Sequence, residues 1–267
     1  NGYVYNGFGT NNRFGWNPLN KLIGDGKPGI SAVSGKTVDP RDYHIFNTYS
    51  APGQWGTGFD GEFAATTTNN TVSFYLAGGR EHVGASSGYP FRGDISEIVL
   101  YNATLSSAQR SQVNTYLGVK YGLTLQSEYR AANGTLLWDV GNTGGFDHAI
   151  AGIARDDRSG LNQKQSRSLI DGSVVTIALD TIYPSNASNP NVFSTDISYG
   201  LWGHNDASVD ISTVALPGAP PTGVEDWIQR NWLYKETGTI GSVYLYFESS
   251  VFKNVHLVTS DASDFSS

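Results

Sequence analysis

Short runs in which apolar and polar residues alternate, broken by Gly, Asn and Pro, recur along the chain, and this period of two predicts strands. The strands expected are Val72–Ala77, Ile95–Tyr101, Leu136–Trp138, Ala149–Ala154, Ser173–Leu179, Tyr199–Gly203, Gln229–Glu236, Ser242–Phe247 and Val255–Thr259, with a hairpin region over Asn1–Trp16 where Tyr3, Tyr5 and Phe8 recur. One stretch has a different period. Ser106 and Gln109 form a capping box, Val113, Tyr116, Leu117 and Tyr121 follow at helical spacing, and Gly122 supplies a left-handed stop. This predicts a single long helix over Ser106–Tyr121, with Val113, Leu117 and Tyr121 buried. Pro184–Asn191 and Pro217–Gly223 read as loops.

Composition agrees with a strand-rich chain. The 267 residues include 32 glycines, 10 prolines and 12% aromatics but only 15% charged residues, which suits many strands joined by tight turns. No cysteine occurs, so disulfides and thiolate metal sites are excluded. No methionine occurs, and the expectation is a processed or excised piece of a longer chain. No apolar run is long enough for a membrane-spanning helix. The balance of 24 acidic and 17 basic residues, net −7, disfavours a nucleic-acid partner and suits a solvated or cation-tolerant surface.

The segment Phe91–Leu125, FRGDISEIVLYNATLSSAQRSQVNTYLGVKYGLTL, resembles the closing strand and terminal helix of concanavalin A-like, laminin-G-like sandwich modules of bacterial surface proteins. Downstream, Gly152–Ser166 (GIARDDRSGLNQKQS), Leu201–Asn205 (LWGHN) and Arg230–Gly238 (RNWLYKETG) resemble a β-rich domain of uncharacterised function that follows such modules in large secreted or surface-anchored adhesins, notably those of gliding bacteria with type IX secretion. The resemblance implies an all-β chain. Residues 1–125 would be a concanavalin A-like β-sandwich closed by one amphipathic helix and short of its opening strands, and residues 126–267 a second β-sandwich-like domain. It also implies an extracellular or cell-surface location, and it names no reaction.

The concanavalin A-like fold also hosts glucanases, whose paired carboxyl groups flank the scissile bond. Asp94 and Glu97 are the nearest approach, but a spacing of three puts them on opposite faces of a regular strand. His44, His82, His148, His204 and His256 are scattered without metal-ligand spacing, no Gly-x-Ser-x-Gly elbow occurs, and Gly7-Phe8-Gly9 and Gly24-Asp25-Gly26 lack a phosphate-loop context. The expectation is therefore a chain with no catalytic residues. No cofactor is certain. Calcium is the candidate ion, through Asp147, Asp156, Asp157 and Asn162 in oxygen-rich segments, although the run Asp156–Gly160 reads better as a tight turn.

A sugar presents an apolar face and a polar rim, so an exposed ring beside amide or carboxylate groups is the relevant chemistry. Trp16 with Asn17, Trp55 with Asp60, and Tyr89 sit in Gly-rich stretches read as loops and are the candidates. Asp180-Thr181-Ile182 matches a bacterial O-glycosylation pattern in three residues alone. Two functions follow as expectations: a non-catalytic adhesin module acting in surface or glycan adhesion or as a rigid spacer, and, as the alternative, an accessory carbohydrate-binding segment of a secreted polysaccharide-degrading enzyme. The partners would be an extracellular glycan or surface and the neighbouring domains of the precursor.

Overall fold

A computed structural model of the chain describes residues 2–6, 13–17, 22–25, 42–52, 54–67, 82–83, 93–170, 172–212, 227–248 and 257–261. Among these the chain is mostly strand, in several small antiparallel sheets, with one α-helix. It divides into two compact units, Asn1–Leu117 with Leu125–Arg130, and Gly118–Thr124 with Ala131–Ser267.

In the first unit β1 (Gly2–Asn6), β2 (Arg13–Asn17), β3 (Leu22–Asp25) and, further along, β4 (Phe46–Ala51), β5 (Gln54–Phe59), β6 (Glu62–Thr67) and β7 (His82–Val83) form sheets of order β3-β2-β1-β7 and β4-β5-β6. Phe59 pairs with Glu62, so Asp60-Gly61 is a two-residue hairpin loop. Both residues have positive φ, 44° and 89°, the backbone of a type I′ turn, which favours this dipeptide. The strand expected at Ile95–Tyr101 is not formed. Residues 94–101 enter no ladder among the described residues, and Ile95, Ile98, Val99, Leu100 and Tyr101 are exposed. Val72–Ala77 and Tyr89 lie outside the described residues.

The helix α1 runs from Ser107 to Tyr121. Its cap is the predicted box: Ser106 N–H donates to Gln109 Oε1 at 2.8 Å and Gln109 N–H to Ser106 Oγ at 3.2 Å, satisfying two of the free donors at the helix start. Gly122 follows at φ 65°, as its role as a stop requires. The deeply buried face differs from the expected one. Asn114, Thr115, Gly118, Val119 and Gly122 are buried, while Val113, Leu117 and Tyr121 are half-buried. The reason is close approach to neighbouring backbone: Thr115 Oγ1 accepts from Arg130 N–H at 2.8 Å, and Val119 packs on Gly152, where a Cβ would lie 3.5 Å from Val119 Cγ1.

Past the helix come β8 (Tyr129–Arg130), β9 (Leu136–Trp138), β10 (His148–Asp156), β11 (Leu161–Gln163), β12 (Gln165–Arg167), β13 (Val175–Leu179), β14 (Ser198–His204), β15 (Ile211–Ser212), β16 (Trp227–Ile228), β17 (Trp232–Thr237) and β18 (Val243–Phe247). The second unit holds a four-stranded sheet of order β11-β10-β14-β17 and a three-stranded sheet of order β12-β13-β18. Alternate residues of each strand share a face. Ala151, Ile153 and Trp202 from the first sheet and Val175, Ile177 and Leu179 from the second join Phe193 and Ile240 in one buried apolar cluster. The run expected at Gln229–Glu236 forms a strand only from Trp232, as β17, with Gln229–Asn231 separating it from β16, and residues 257–259 carry no strand, Val255 and His256 being outside the described residues.

Candidate functional site

The three segments singled out by motif, Gly152–Ser166, Leu201–Asn205 and Arg230–Gly238, supply the adjacent strands β10, β14 and β17 of one sheet. At one end of that sheet His148 stands opposite His204, and His204 opposite Trp232. The two imidazoles lie stacked, 6.2 Å between centroids and 15° between planes, with the Trp232 ring edge-on to His204 at 6.2 Å. Asp206 N–H donates to His204 Nδ1 at 2.9 Å, so the proton of the neutral ring is on Nε2. The Asp206 carboxylate is 3.6 Å from His148 Nδ1. Burial, then the positive charge of Arg230, lowers the pKa of His204 to about 4 against the pull of Asp206.

The backbone at this end is bent to make the arrangement. A bulge between His148 and Ala151 carries Ala149 at φ 49°, and Asp206 is at φ 58°, conformations that cost non-glycine residues energy. Asn205 fastens the end: its N–H donates to Asn231 O at 3.2 Å, its Oδ1 accepts from Asn231 N–H at 3.1 Å, and its Nδ2 donates to Gln229 O at 3.3 Å. Arg230 donates to Ala207 O and Gly172 O at 2.7 and 2.9 Å. The Asn and Arg of the LWGHN and RNW motifs thus lock the 205–207 and 229–231 segments to each other and to Gly172. Scattered singly in the sequence, the histidines gave no spacing signal, and only the strand register reveals their pairing.

The calcium candidates do not converge. Asp147 precedes β10 and Asp156 ends it, and nine residues at about 3.3 Å each separate them by roughly 25–30 Å. Asp147 accepts from Trp138 Nε1, Thr143 Oγ1 and Gly141 N–H at 2.8, 2.7 and 2.8 Å, which ties down the loop after β9. Burial works against its charge, but these donors together outweigh it and hold the carboxyl below its ordinary range. Asp156 is fully buried and accepts from Tyr199 Oη at 2.5 Å, Ala132 N–H at 2.8 Å and Ser159 N–H at 3.4 Å. Burial, then the hydrogen bond and charge of Asp156, push the Tyr199 phenol far upward.

Asp157 points the other way. It takes both Nε and Nη2 of Arg155 at 2.8 Å, and this hydrogen bonding keeps its pKa low. Asn162 is exposed on β11, opposite Arg155. Residues 157–160 form the turn between β10 and β11, with Gly160 at φ 71°. Among the described residues no group of three His, Asp or Glu side chains could hold a metal ion.

The sugar candidates are placed differently from expectation. Trp16 and Asn17 belong to β2 and Trp55 to β5, so all three are in paired strands and not in loops. Their side chains, like Tyr89, lie outside the described residues. Asp60 is buried, with Oδ1 accepting from Ile45 N–H at 2.8 Å and Oδ2 2.9 Å from His44 Nδ1. It organises its hairpin, with each oxygen engaged by a group of the chain. Glu97 accepts from the Tyr116 hydroxyl at 3.0 Å, tying the 93–106 segment to the helix.

A family model described as a domain of unknown function, DUF8202, matches residues 109–267, which is more than half of the chain and includes all three motif strands. The chain belongs to the DUF8202 family. No curated protein and no solved structure matches it. Within the DUF8202 region the histidine end, the Asp147 loop and the Asp156–Tyr199 pair all organise the four-stranded sheet or its flanking loops. No helix among the described residues is long and apolar enough to cross a membrane.

Proposed function

We propose that this chain is a non-catalytic module of a large secreted or cell-surface bacterial adhesin, which binds a glycan or other surface or holds binding units apart as a rigid spacer. In this reading residues 1–125 are a concanavalin A-like, laminin-G-like sandwich ending in α1, and residues 126–267 are the β-sandwich-like domain of the adhesin-associated type.

One observation carries the non-catalytic part. Asp60 and Asp156, both buried, and the partly buried Asp147 each bond several of the chain's own groups, so their oxygens set turns and sheet ends. A general acid or base needs instead an oxygen aimed at substrate. The adhesin context rests on the motif resemblance. An accessory carbohydrate-binding segment of a polysaccharide-degrading enzyme shares the same binding chemistry and differs in the neighbouring domains.

Brief protease treatment of intact producing cells, followed by mass spectrometry of released peptides, tests the surface placement. Peptides from this chain should appear before cytosolic markers. Their release only after lysis would contradict the reading. A hydrolase domain in the full reading frame would move the assignment to the accessory segment.

A further inference from the structure

The outward face of the β12-β13-β18 sheet carries chemistry that the histidine end and the turn carboxylates do not use. Its inward face is the buried row Val175, Ile177 and Leu179, so the alternation puts Thr176 and Ala178 on the opposite face, where Thr176 is partly exposed and Ala178 is fully covered by its neighbours. Cross-strand partners share a face, and Tyr246 stands opposite Thr176 while Tyr244 stands opposite Ala178. Beyond them on β12, Arg167 pairs with Thr176 and Gln165 with Ala178. The two tyrosines, at positions i and i+2 of one strand, are 45% and 46% exposed. Their cross-strand neighbours on β13 are too small to cover two aromatic rings.

Polar groups stand at both ends of this aromatic pair. At one end Glu248 takes a hydrogen bond from Arg167, which also donates to Ser173 O. At the other the exposed Asp180 donates its N–H to Ser242 O at 3.4 Å. Gln165 is occupied, since its amide bonds the Tyr183 main chain through both N and O. The result is a strip ordered polar, ring, ring, polar along residues 242–248, matching the apolar face and hydroxyl rim of consecutive sugar units. Two carboxylates and a guanidinium already paired with one of them give the strip no surplus cation. That charge pattern suits an uncharged oligosaccharide and opposes a uronate or sulfated chain.

We propose that this face is a binding platform for a neutral oligosaccharide, with Tyr244 and Tyr246 stacking beneath adjacent sugar rings and Asp180, Arg167 and Glu248 bonding hydroxyls at the two ends. The platform deepens the glycan-binding branch of the function above and rests on it. It lies within the DUF8202 region.

Calorimetric titration of the whole chain with cellohexaose, laminarihexaose, mannohexaose and xylohexaose, with oligogalacturonate as the acidic comparison, tests it. Tyr244→Ala, Tyr246→Ala and the double variant are compared with Val192→Ala, an exposed position elsewhere, all checked by circular dichroism and melting. Tyr244→Thr and Tyr246→Thr keep strand propensity if the alanine variants fold poorly. At least one neutral hexasaccharide should bind, with each ring contributing about three- to tenfold in affinity and Val192→Ala without effect. Unchanged affinity in the folded double variant would overturn the platform and leave glycan binding to another face. Binding of oligogalacturonate alone, or of no neutral hexasaccharide, would overturn it too, while the surface placement would still stand or fall by the protease experiment.

Discussion

Replacing Asp156 by Ala removes the acceptor shared by Tyr199 Oη, Ala132 N–H and Ser159 N–H. Tyr199 is only 2% exposed, so its hydroxyl cannot turn to water when the carboxylate is gone. A buried donor left without a partner costs about 1–3 kcal/mol, and hydrogen bonds to a charged group are worth about 1.5–3 kcal/mol each. The Ser159 contact is long and adds little. The expected loss is therefore about 3–5 kcal/mol for Asp156→Ala, the sum of lost charge-assisted hydrogen bonds and donors left unpaired. Tyr199→Phe removes one donor and leaves the others, so about 1–2 kcal/mol is expected. Urea denaturation at neutral pH, followed by the fluorescence of the buried Trp138 and Trp202, measures both. Because the two groups touch, the double variant should be less destabilised than the sum of the singles, by about 1 kcal/mol or more. A loss below about 1 kcal/mol for Asp156→Ala, or strict additivity, would refute the assignment of this carboxylate as the anchor of the sheet edge.

Withholding calcium with a chelator should leave the melting temperature of the wild type unchanged, since the candidate ligands are held by protein donors; a clear drop in Tm that is lost in Asp147→Asn would contradict this. A Cβ at Gly203 would meet Phe146 O at 2.3 Å, main chain that cannot swing aside, whereas at Gly152 it would meet the Leu201 Cδ2 tip at 2.2 Å. In melting experiments Gly203→Ala should cost about 2–3 kcal/mol and Gly152→Ala less, and the reverse order would be evidence against the packing. His204 is neutral in the folded chain down to about 4, whereas an unfolded histidine binds its proton near 6.5. Its contribution is complete above pH 6.5 and is lost as pH falls toward 4, at up to about 1.4 kcal/mol per pH unit. Urea midpoints from pH 7 to 4 should fall less steeply in His204→Gln than in the wild type, and equal slopes would count against a buried neutral imidazole.

The parts of the fold legible in the sequence were those set by local chemistry. The Ser106–Gln109 box, the Gly122 stop and most strands of the second unit up to Phe247 follow from capping and from alternation, and the structure places them within a few residues. Apolar size does not select the buried face of α1: Val119 is held against Gly152, and Thr115 is held by its hydroxyl at Arg130 N–H. Ile95–Tyr101 has strand chemistry but no ladder among the described residues, and propensity cannot supply a partner.

The candidate sites were harder still. Asp60-Gly61 carries a hairpin signal in the sequence, and its carboxylate serves that turn. Asp147 and Asp156 were grouped because they are near in sequence, but the strand between them keeps them apart. The His148–His204 pairing and the outward Tyr244 and Tyr246 depend on register and on which sheet face is covered, which alternation alone does not determine when both faces of β18 read as apolar.

The most direct test of a module that binds without turning over its ligand is incubation of the purified chain with a broad panel of plant and algal polysaccharides, with reducing ends assayed over a long time course. The account predicts no release above buffer controls for the wild type and for Glu97→Gln alike. Release by the wild type that disappears in a folded Glu97→Gln variant would contradict it and make the 93–106 segment part of an active site.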